Sequence, residues 1–532
     1  MKKSILLYSP LFLFLIILMV KMAPQDGLIG HDYSASFIRL VIGAVHFWQN
    51  GLRVPHFTPS LCGGIPFIAD PQSLYYSLPQ WLTFVIEPWK ATLLSIAVFY
   101  VLGYLGTERL TSQVFHWNPY VSHITALLFE TNGVAFGHLY AGHLTFLSYL
   151  LFPCVLFCLF ESTPKLFGFP FWRRVGTFSC LILCTLYGGG AHVLVLFVVG
   201  ILLLLPVILH HHWKKNELVT FFSVLLLMSV AVGAIAGSKI LLSLRYSRHF
   251  YFGSINSSYE PAWTVILRYF WFLPGMTPPS IPFGEWDMGA WEYVGFLSRI
   301  TLPLLVLFVY QMARSQKPIY WKLIVLYLVS IPLFLFLGQG TEWNTRLPLL
   351  SHYHNPIRFL GALVPAIVLA AGASLHRLNA KGLSLFLSAS LFLLSEFSFS
   401  SDFFVVKKLG LGFRYTTSEY DKLRELGKLP PVTSVTNERR NDLAMLLEGI
   451  TSINCYEPIF GYRGEKNHSQ LTTGSSSSIR EGKYNLNHPG CFLYPEYFHC
   501  DGWDRIPATP QGEKLFADFS SGKPVDVPSL LF

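Results

Sequence analysis

Residues 5–22 read ILLYSPLFLFLIILMVKM, and a polar loop containing Gly30-His31-Asp32-Tyr33 follows them. A membrane-spanning helix needs roughly 20 residues that are mostly apolar, and this run is close to that length. Lys2 and Lys3 precede the run, as they would in a signal peptide, but no convincing small-residue cleavage site follows it. The stretch therefore predicts a retained membrane helix that is followed, just outside the membrane, by the carboxylate of Asp32.

The composition of the whole chain agrees with a membrane protein. Only 13% of the 532 residues are charged and 52% are hydrophobic, whereas soluble domains carry about 25% charged residues. The chain has 39 Lys and Arg residues against 30 Asp and Glu residues. Much of this positive charge lies in short segments between apolar runs, so it indicates membrane topology and no nucleic-acid partner.

Apolar runs along the chain predict about eleven membrane-spanning helices. The predicted spans are 5–22, 91–106, 120–136, 143–160, 175–188, 191–209, 217–237, 294–310, 321–338, 357–375 and 382–400. The fifth span is short and ends at the triple glycine 188–190, which is compatible with a broken helix. The predicted fold class is a polytopic α-helical membrane protein with a small mixed α/β domain after the last helix.

The distribution of basic residues predicts the orientation. If residue 1 is cytoplasmic, a set of basic residues in short connections falls on the cytoplasmic side, as the positive-inside rule requires. These residues are Arg109, Lys165, Arg173, Arg174, Lys214, Lys215, Arg314, Lys317, Arg377 and Lys381. An odd number of spans then places residues 401–532 outside. The predicted organisation is a membrane domain over 1–400, with a first outer loop at 23–90, and an extracytoplasmic domain over 401–532.

Two outer segments have further patterns. Apolar residues at helical spacing over 34–49 predict a helix that either lies on the membrane surface or packs against the bundle. Cys62, Cys455, Cys491 and Cys500 lie on the outer side, where disulfides form, and the short separation of Cys491 from Cys500 favours that pair. The pairing of Cys62 and Cys455 stays open.

Asp32 is the first candidate for chemistry. A carboxylate at the membrane surface can act as a general base, because partial desolvation raises its pKa toward a useful range. It can also ligate a divalent cation such as Mg²⁺ or Mn²⁺. A third interpretation is structural, since Asp32 directly precedes the predicted helix and Asp is a preferred N-cap residue. Asp70, which precedes Pro71, is a second cap or turn residue and a weaker candidate for substrate binding.

A set of basic side chains is predicted to face the same outer side. Ionisable groups near membrane depth usually mark a site or a pathway, and arginine suits phosphate because its guanidinium can bind in a bidentate manner. A lone interfacial histidine or arginine means little, because such side chains also reach the surface without a function. The candidate residues for substrate binding are His31, His138, His143, Arg346, His354 and Arg358, and His192 follows the triple glycine on the same side.

The loop over 239–293 adds acids next to tryptophans. Glu285, Asp287 and Glu292 alternate with Trp286 and Trp291. Aromatic faces stack on pyranose rings and acids bind hydroxyl groups, so this pattern is compatible with a sugar site. An aromatic belt at the membrane interface explains the tryptophans equally well but leaves the acids unexplained.

Taken together, these segments resemble the YfhO-like bacterial membrane proteins of the GT-C-fold glycosyltransferase superfamily. The likeness covers most of the chain in short pieces. They are Asp32, the Gly63–Ser73 run, Gly137-His138 with Pro153, Glu292-Tyr293-Val294-Gly295, Asn355-Pro356-Ile357-Arg358-Phe359, Ala444-Met445-Leu446 and Ser452–Pro458. A single acid beside His31 stands where better-known patterns have two adjacent acids, so the resemblance leaves dependence on Mg²⁺ or Mn²⁺ open.

The resemblance implies an inverting glycosyltransferase in the bacterial cytoplasmic membrane, with its active site outside. It implies a sugar on a polyprenyl phosphate as donor, Asp32 as catalytic residue, and Arg346 or Arg358 on the phosphate. The acceptor would be an envelope glycan, a lipid or a protein. The alternatives are a lipid or glycan transporter without chemistry and a structural partner in envelope assembly. Broken helices and charges at the membrane midplane would favour transport.

Overall fold

The computed structural model describes residues 2–24, 27–30, 32–55, 57–58, 60–61, 65–162, 166–215, 217–247, 267, 269–271, 282–283, 286–287, 295–314, 356–380, 382–402, 413–414, 416–430, 434–436, 443–452, 479–480 and 483–484. Most of these residues are helical. The α-helices are α1 Lys2–Met22, α2 Tyr33–Asn50, α3 Leu78–Thr83, α4 Pro88–Arg109, α5 Pro119–Glu130, α6 Gly133–Ala141, α7 Phe152–Phe160, α8 Phe169–Tyr187, α9 Ala191–Lys214, α10 Leu218–Ser247, α11 Thr301–Ala313, α12 Val364–Arg377, α13 Leu383–Ser401, α14 Thr417–Leu426 and α15 Leu443–Glu448.

Other helical turns and short strands join these helices. A π-helical turn, Leu110–Val114, continues α4, and 3₁₀ helices at Leu144–Leu151 and Pro356–Leu363 lead into α7 and α12. The strands are β1 Leu28–Ile29, β2 Phe57–Thr58, β3 Ile65–Pro66, β4 Pro282–Phe283, β5 Trp286–Asp287, β6 Phe413–Arg414, β7 Ser434–Thr436, β8 Ile450–Ser452, β9 Ile479–Arg480 and β10 Lys483–Tyr484. They pair two by two, β7 with β8 in parallel and the other pairs antiparallel.

Six helices of the described chain are long and apolar enough to cross a membrane. They are Ile5–Met22, Pro88–Val114, Ala191–Trp213, Leu218–Leu244, Arg358–Arg377 and Leu383–Ser401, and Leu144–Phe160 and Thr301–Ala313 are shorter apolar helices. The protein is therefore a helical membrane protein, as its composition predicts. The number eleven, the C-terminal domain and the orientation stay predictions, and the predicted span 321–338 lies outside the described residues.

The predicted span 120–136 differs from the structure, which divides it into α5 and α6. Thr131 and Asn132 separate the two helices, and the Asn132 backbone is extended there. The Asn132 side chain accepts a hydrogen bond from the backbone N–H of Ala135 at 3.1 Å. An asparagine in the N-cap position satisfies one of the open N–H groups of a new helix, so the break is built into the sequence by Asn132.

The triple glycine also separates two helices, since α8 ends at Tyr187 and α9 begins at Ala191. Gly189 has φ +72°, and a Cβ atom at this position would lie 2.6 Å from the carbonyl oxygen of Gln72 in the first outer loop. Only glycine combines this backbone conformation with this close approach. The α8–α9 junction is therefore a contact between the bundle and the first outer loop.

The predicted helix over 34–49 is α2, and it packs against the protein. Its residues 37–45 are all buried, including Arg39. Phe37 contacts Trp89 of α4, with ring centroids 5.7 Å apart, and Trp48 contacts Tyr420 of α14 at 6.1 Å. Of the two interpretations of this helix, the structure therefore supports packing against the bundle.

Strand pairing links the first outer loop to the chain after α13. Leu28 of β1 pairs with Arg414 of β6, and Ile29 pairs with Phe413. At the ends of α1 and α13, Lys21 donates to the carboxylate of Asp402 at 2.6 Å. The C-terminal ends of these two helices therefore lie together, so α1 and α13 run in the same direction.

A buried ionic contact fixes the rest of the first loop. The guanidinium of Arg39 donates from Nε and Nη2 to one oxygen of Asp70, at 3.2 and 3.1 Å. The other oxygen of Asp70 accepts from the backbone N–H of Gln72 at 2.8 Å, which makes an Asx turn. Lys239 of α10 donates to the carbonyl oxygens of Ile68 and Asp70, both at 3.3 Å. The side chain of Asp70 thus holds the loop to α2, and its backbone is held to α10.

We expect Asp70→Asn to destabilise the protein strongly. The substitution leaves the buried Arg39 guanidinium without its carboxylate, and breaking one side of a buried ion pair costs about 3–5 kcal/mol. The melting temperature of the purified protein in detergent should fall by several degrees. Asp421→Asn on the exposed face of α14 is the matched control and should change little. Equal melting temperatures for the two variants would contradict the anchoring role of Asp70.

Candidate functional site

The segment that leads into α2 is attached to the C-terminal end of α6. The backbone N–H of Asp32 donates to the carbonyl oxygen of Ala141 at 2.9 Å. The Tyr33 hydroxyl donates to the carbonyl oxygen of Leu139 at 2.6 Å, and the Ser36 hydroxyl donates to that of Gly142 at 2.7 Å. These donors satisfy carbonyl groups that the end of a helix leaves open. Asp32 is thereby held beside the turn that carries His143.

The turn itself requires glycine. Gly142 has φ +117°, and a Cβ atom added there would collide with the backbone nitrogen of Tyr33. A positive φ is costly for residues that have a Cβ atom. Gly142 therefore allows α6 to end and the first outer loop to approach at the same point.

Asp32 occupies the N-cap position of α2, but its side chain makes no capping hydrogen bond. The side chain is buried, and its Oδ2 atom contacts Nε2 of His143. The capping interpretation therefore does not account for the position of this carboxylate. The carboxylate faces an imidazole on a different segment of the chain, which is the arrangement of an acid–base pair.

A second histidine continues this arrangement. Nδ1 of His143 lies 2.9 Å from Nδ1 of His138. Burial lowers the pKa of His138 well below its ordinary value, and the charges of His143 and Arg358 act in the same direction. His138 is therefore neutral, with one donor and one acceptor nitrogen. The carboxylate of Asp32 contacts His143, and His143 lies within hydrogen-bond distance of His138. We call these three residues the Asp32 chain.

Basic groups surround the ring of Phe146 at the end of the Asp32 chain. The His138 ring stacks on Phe146 with centroids 3.7 Å apart and an interplanar angle of 13°. The guanidinium carbon of Arg358 lies 5.7 Å from the centroid of the same ring, and the His192 ring lies 4.7 Å from it. Nε2 of His192 is 3.4 Å from the hydroxyl of Thr145. We call Phe146, His138, His192 and Arg358 the Phe146 cluster.

The two groups of residues have complementary chemistry. The Asp32 chain supplies a carboxylate that is oriented by an imidazole. The Phe146 cluster gathers a guanidinium and two imidazoles around one apolar ring, and its permanent cation, the Arg358 guanidinium, suits a phosphate. An aromatic face under a guanidinium adds a cation–π contribution that holds its plane. The site therefore pairs a proton acceptor with an anion-binding region.

The structure brings together four residues that the sequence predicts for the site: Asp32, His138, His143 and Arg358. Asp70 lies with Arg39 in the buried ionic contact described above, and its predicted part in substrate binding is untested. Asp287 belongs to β5, and nothing is described of its side chain. His31, Glu285, Glu292, Arg346 and His354 lie outside the described residues, as do Cys62, Cys455, Cys491 and Cys500.

Phe146 and Thr145 belong to the site, but no pattern in the sequence predicts this. Phe146 is one of 45 phenylalanines in the chain, and only its position three residues after His143 distinguishes it. Its role depends on the 3₁₀ conformation of Leu144–Leu151, which turns the Phe146 ring toward His138. No periodicity in the sequence predicts that conformation.

A bound metal ion requires several donor side chains close together. In the described parts of the chain, no three His, Cys, Asp or Glu side chains are grouped as a metal site would require. The predicted use of Mg²⁺ or Mn²⁺ stays a prediction, and no chemical step is assigned to either ion.

We expect Gly142→Ala to disturb the site selectively. The added methyl group is strained at this φ and collides with Tyr33, which should cost more than about 1 kcal/mol. The melting temperature should fall, and amide hydrogen exchange in residues 30–36 should become faster. Gly233→Ala on α10, where a Cβ atom meets nothing within 4 Å, is the control. Unchanged exchange in residues 30–36 would contradict the role of this turn.

Comparison with protein-family models, with curated proteins and with solved structures found no match for this chain.

Proposed function

We propose that the protein is a membrane glycosyltransferase that moves a sugar from a polyprenyl-phosphate donor to an acceptor at the outer membrane surface. The observation that carries the proposal is the contact between Asp32 and His143. A buried carboxylate that is free of capping and held by an imidazole is suited to remove a proton from a hydroxyl group. The neighbouring Phe146 cluster is suited to a phosphate leaving group.

The proposed step uses these residues in defined roles. Asp32 accepts the proton of the acceptor hydroxyl as its oxygen forms a bond to the anomeric carbon of the sugar. The bond from that carbon to the phosphate oxygen breaks, and the phosphate leaves with the electron pair. Arg358 and His192 stabilise the negative charge on the departing phosphate. His143 orients the carboxylate of Asp32, and the neutral His138 sets the orientation of His143.

One observation favours the second candidate function, a lipid or glycan transporter. The α5–α6 break places a buried acid, Glu130, beside a discontinuity in an apolar segment. Discontinuous helices with intramembrane charges are typical of transporters. The two functions differ in whether a glycosidic bond is formed, so analysis of lipid-linked sugars and envelope glycans with and without the gene separates them.

Asp32→Asn should abolish sugar transfer while the folded protein still binds its donor. Asparagine keeps the size of the side chain but cannot accept the hydroxyl proton, so the rate should fall by several orders of magnitude. The measurement is product formation from polyprenyl-phosphate sugars by purified protein. Asp421→Asn is the control. Normal product from Asp32→Asn, at matched expression and melting temperature, would refute the catalytic role and favour transport.

Arg358→Lys should weaken donor use. Lysine keeps the charge but loses the planar group that lies over Phe146 and binds phosphate in a bidentate manner. Loss of a hydrogen bond between charged groups is worth about 1.5–3 kcal/mol, so KM for the donor should rise roughly tenfold or more. Arg314→Lys is a matched control, because Arg314 lies over the ring of Tyr310 at 4.7 Å on another helix. Equal KM values for wild type and Arg358→Lys would exclude this role.

A further inference from the structure

Glu130 is a carboxylic acid in the interior of the helical bundle. It is the last residue of α5 and has no exposed surface. Its Oε1 atom lies 2.7 Å from the point where a Cβ atom of Gly103 would be, so the carboxyl group fills the space beside α4. The carbonyl oxygen of Leu150 lies 2.7 Å from the same point. The carboxyl group is therefore enclosed between α4, α5 and the 3₁₀ helix that precedes α7.

Neither oxygen of Glu130 has a hydrogen-bond partner among the described residues. The hydroxyl of Tyr100 on the facing helix α4 lacks one as well. One turn further along α4, Tyr104 contacts Nδ1 of His123 on α5 at 2.9 Å. The interface between α4 and α5 thus contains a ladder of polar side chains within an otherwise apolar core.

Among the described residues, no charged or titratable group on the elements around Glu130 supplies a cation next to its carboxyl group. The groups that interact electrostatically with it are Tyr100 and Tyr104 on α4 and Cys154 on α7. The charged groups of the packed helices lie toward helix ends and are Lys90, Glu108 and Arg109 on α4, Lys2, Lys3 and Lys21 on α1, Arg377 on α12 and Glu396 on α13. Lys21 is paired with Asp402, and Glu396 accepts from the Ser298 hydroxyl and the Arg299 backbone.

An ionised carboxylate in this position would be buried without a counter-charge or a donor, which costs several kcal/mol or more. The protonated form avoids this cost. A protonated carboxyl group has a hydroxyl that can donate a hydrogen bond, and the Leu150 carbonyl oxygen is an acceptor that lies beside the same point of Gly103. Binding a proton therefore removes the buried charge from this interface.

We propose that Glu130 is a proton-binding site inside the membrane bundle, which holds its proton while α4 and α5 are packed together. Only Thr131 and Asn132 separate it from α6, which carries His138. Release of the proton requires α5 to move away from α4, and such a movement displaces α6 with it. The occupancy of Glu130 is thus linked to the geometry of the Asp32 chain. This inference concerns the protein in either of its candidate functions.

Infrared spectroscopy of the purified protein in a detergent without ester groups tests the proposal without an activity assay. At neutral pH the wild type should show the C=O stretching band of a protonated carboxyl group, and Glu130→Gln should remove that band. Glu396→Gln is the matched control and should leave the band in place. Absence of this band in the wild type would overturn the proposal. Persistence of the band in Glu130→Gln would also overturn it.

The pH dependence of stability gives an independent measurement. If the folded state keeps a proton on Glu130 that the unfolded state releases, stability falls as pH rises above the ordinary carboxyl range. The melting temperature of the wild type should therefore fall relative to that of Glu130→Gln as the pH is raised from weakly acidic to alkaline. A constant difference between the two proteins would contradict the proposal. Failure of sugar transfer alone would leave both results unchanged, so the two proposals are tested separately.

Discussion

The attachment of the first outer loop to the end of α6 is the constraint on which the site depends. The backbone of Asp32 and the hydroxyls of Tyr33 and Ser36 donate to three carbonyl groups at the end of that helix. The acceptors are carbonyl groups without a partner inside the helix. The hydrogen bonds therefore join two segments more than 100 residues apart in sequence without a large side-chain interface. Asp32 meets His143 as a consequence of this backbone contact, so side-chain chemistry here follows from how a helix ends.

A second contact, between the charged groups of Arg39 and Asp70, fixes the position of the same loop. Arg39 and Asp70 are both buried, and removing two such charges from water is expensive unless their geometry is good. The two guanidinium hydrogen bonds and the Asx turn at Gln72 supply that geometry. Lys239 then ties the loop backbone to α10. A buried ion pair of this kind adds little net stability, but its hydrogen bonds fix the position of Asp70 relative to α2.

Much of the architecture could be predicted from the sequence, because apolar length and helical spacing are local properties. The first span, α2 and the junction at the triple glycine all follow from such patterns. Asp32, His138, His143 and Arg358 could be identified as candidates because ionisable residues at the edges of apolar runs are rare and costly. Phe146 could not be identified, because its role depends on a 3₁₀ helix and on Arg358, which is far from it in the sequence. The break at Asn132 could not be predicted, because the apolar residues on both sides of this N-cap form one continuous run in the sequence.

The pairing of β1 with β6 has a consequence for the order of biosynthesis. Leu28 lies near the start of the chain and Arg414 lies beyond α13, so the first strand waits for its partner until every membrane helix between them has been synthesised. Contacts over such a separation form late, because a long loop must be closed before they can contribute. The pairing of β1 with β6 is therefore completed late. A truncated chain that inserts these membrane helices but lacks residues 413–414 would leave the backbone of β1 without its partner strand. Cellular quality control could detect the chain by this unpaired strand.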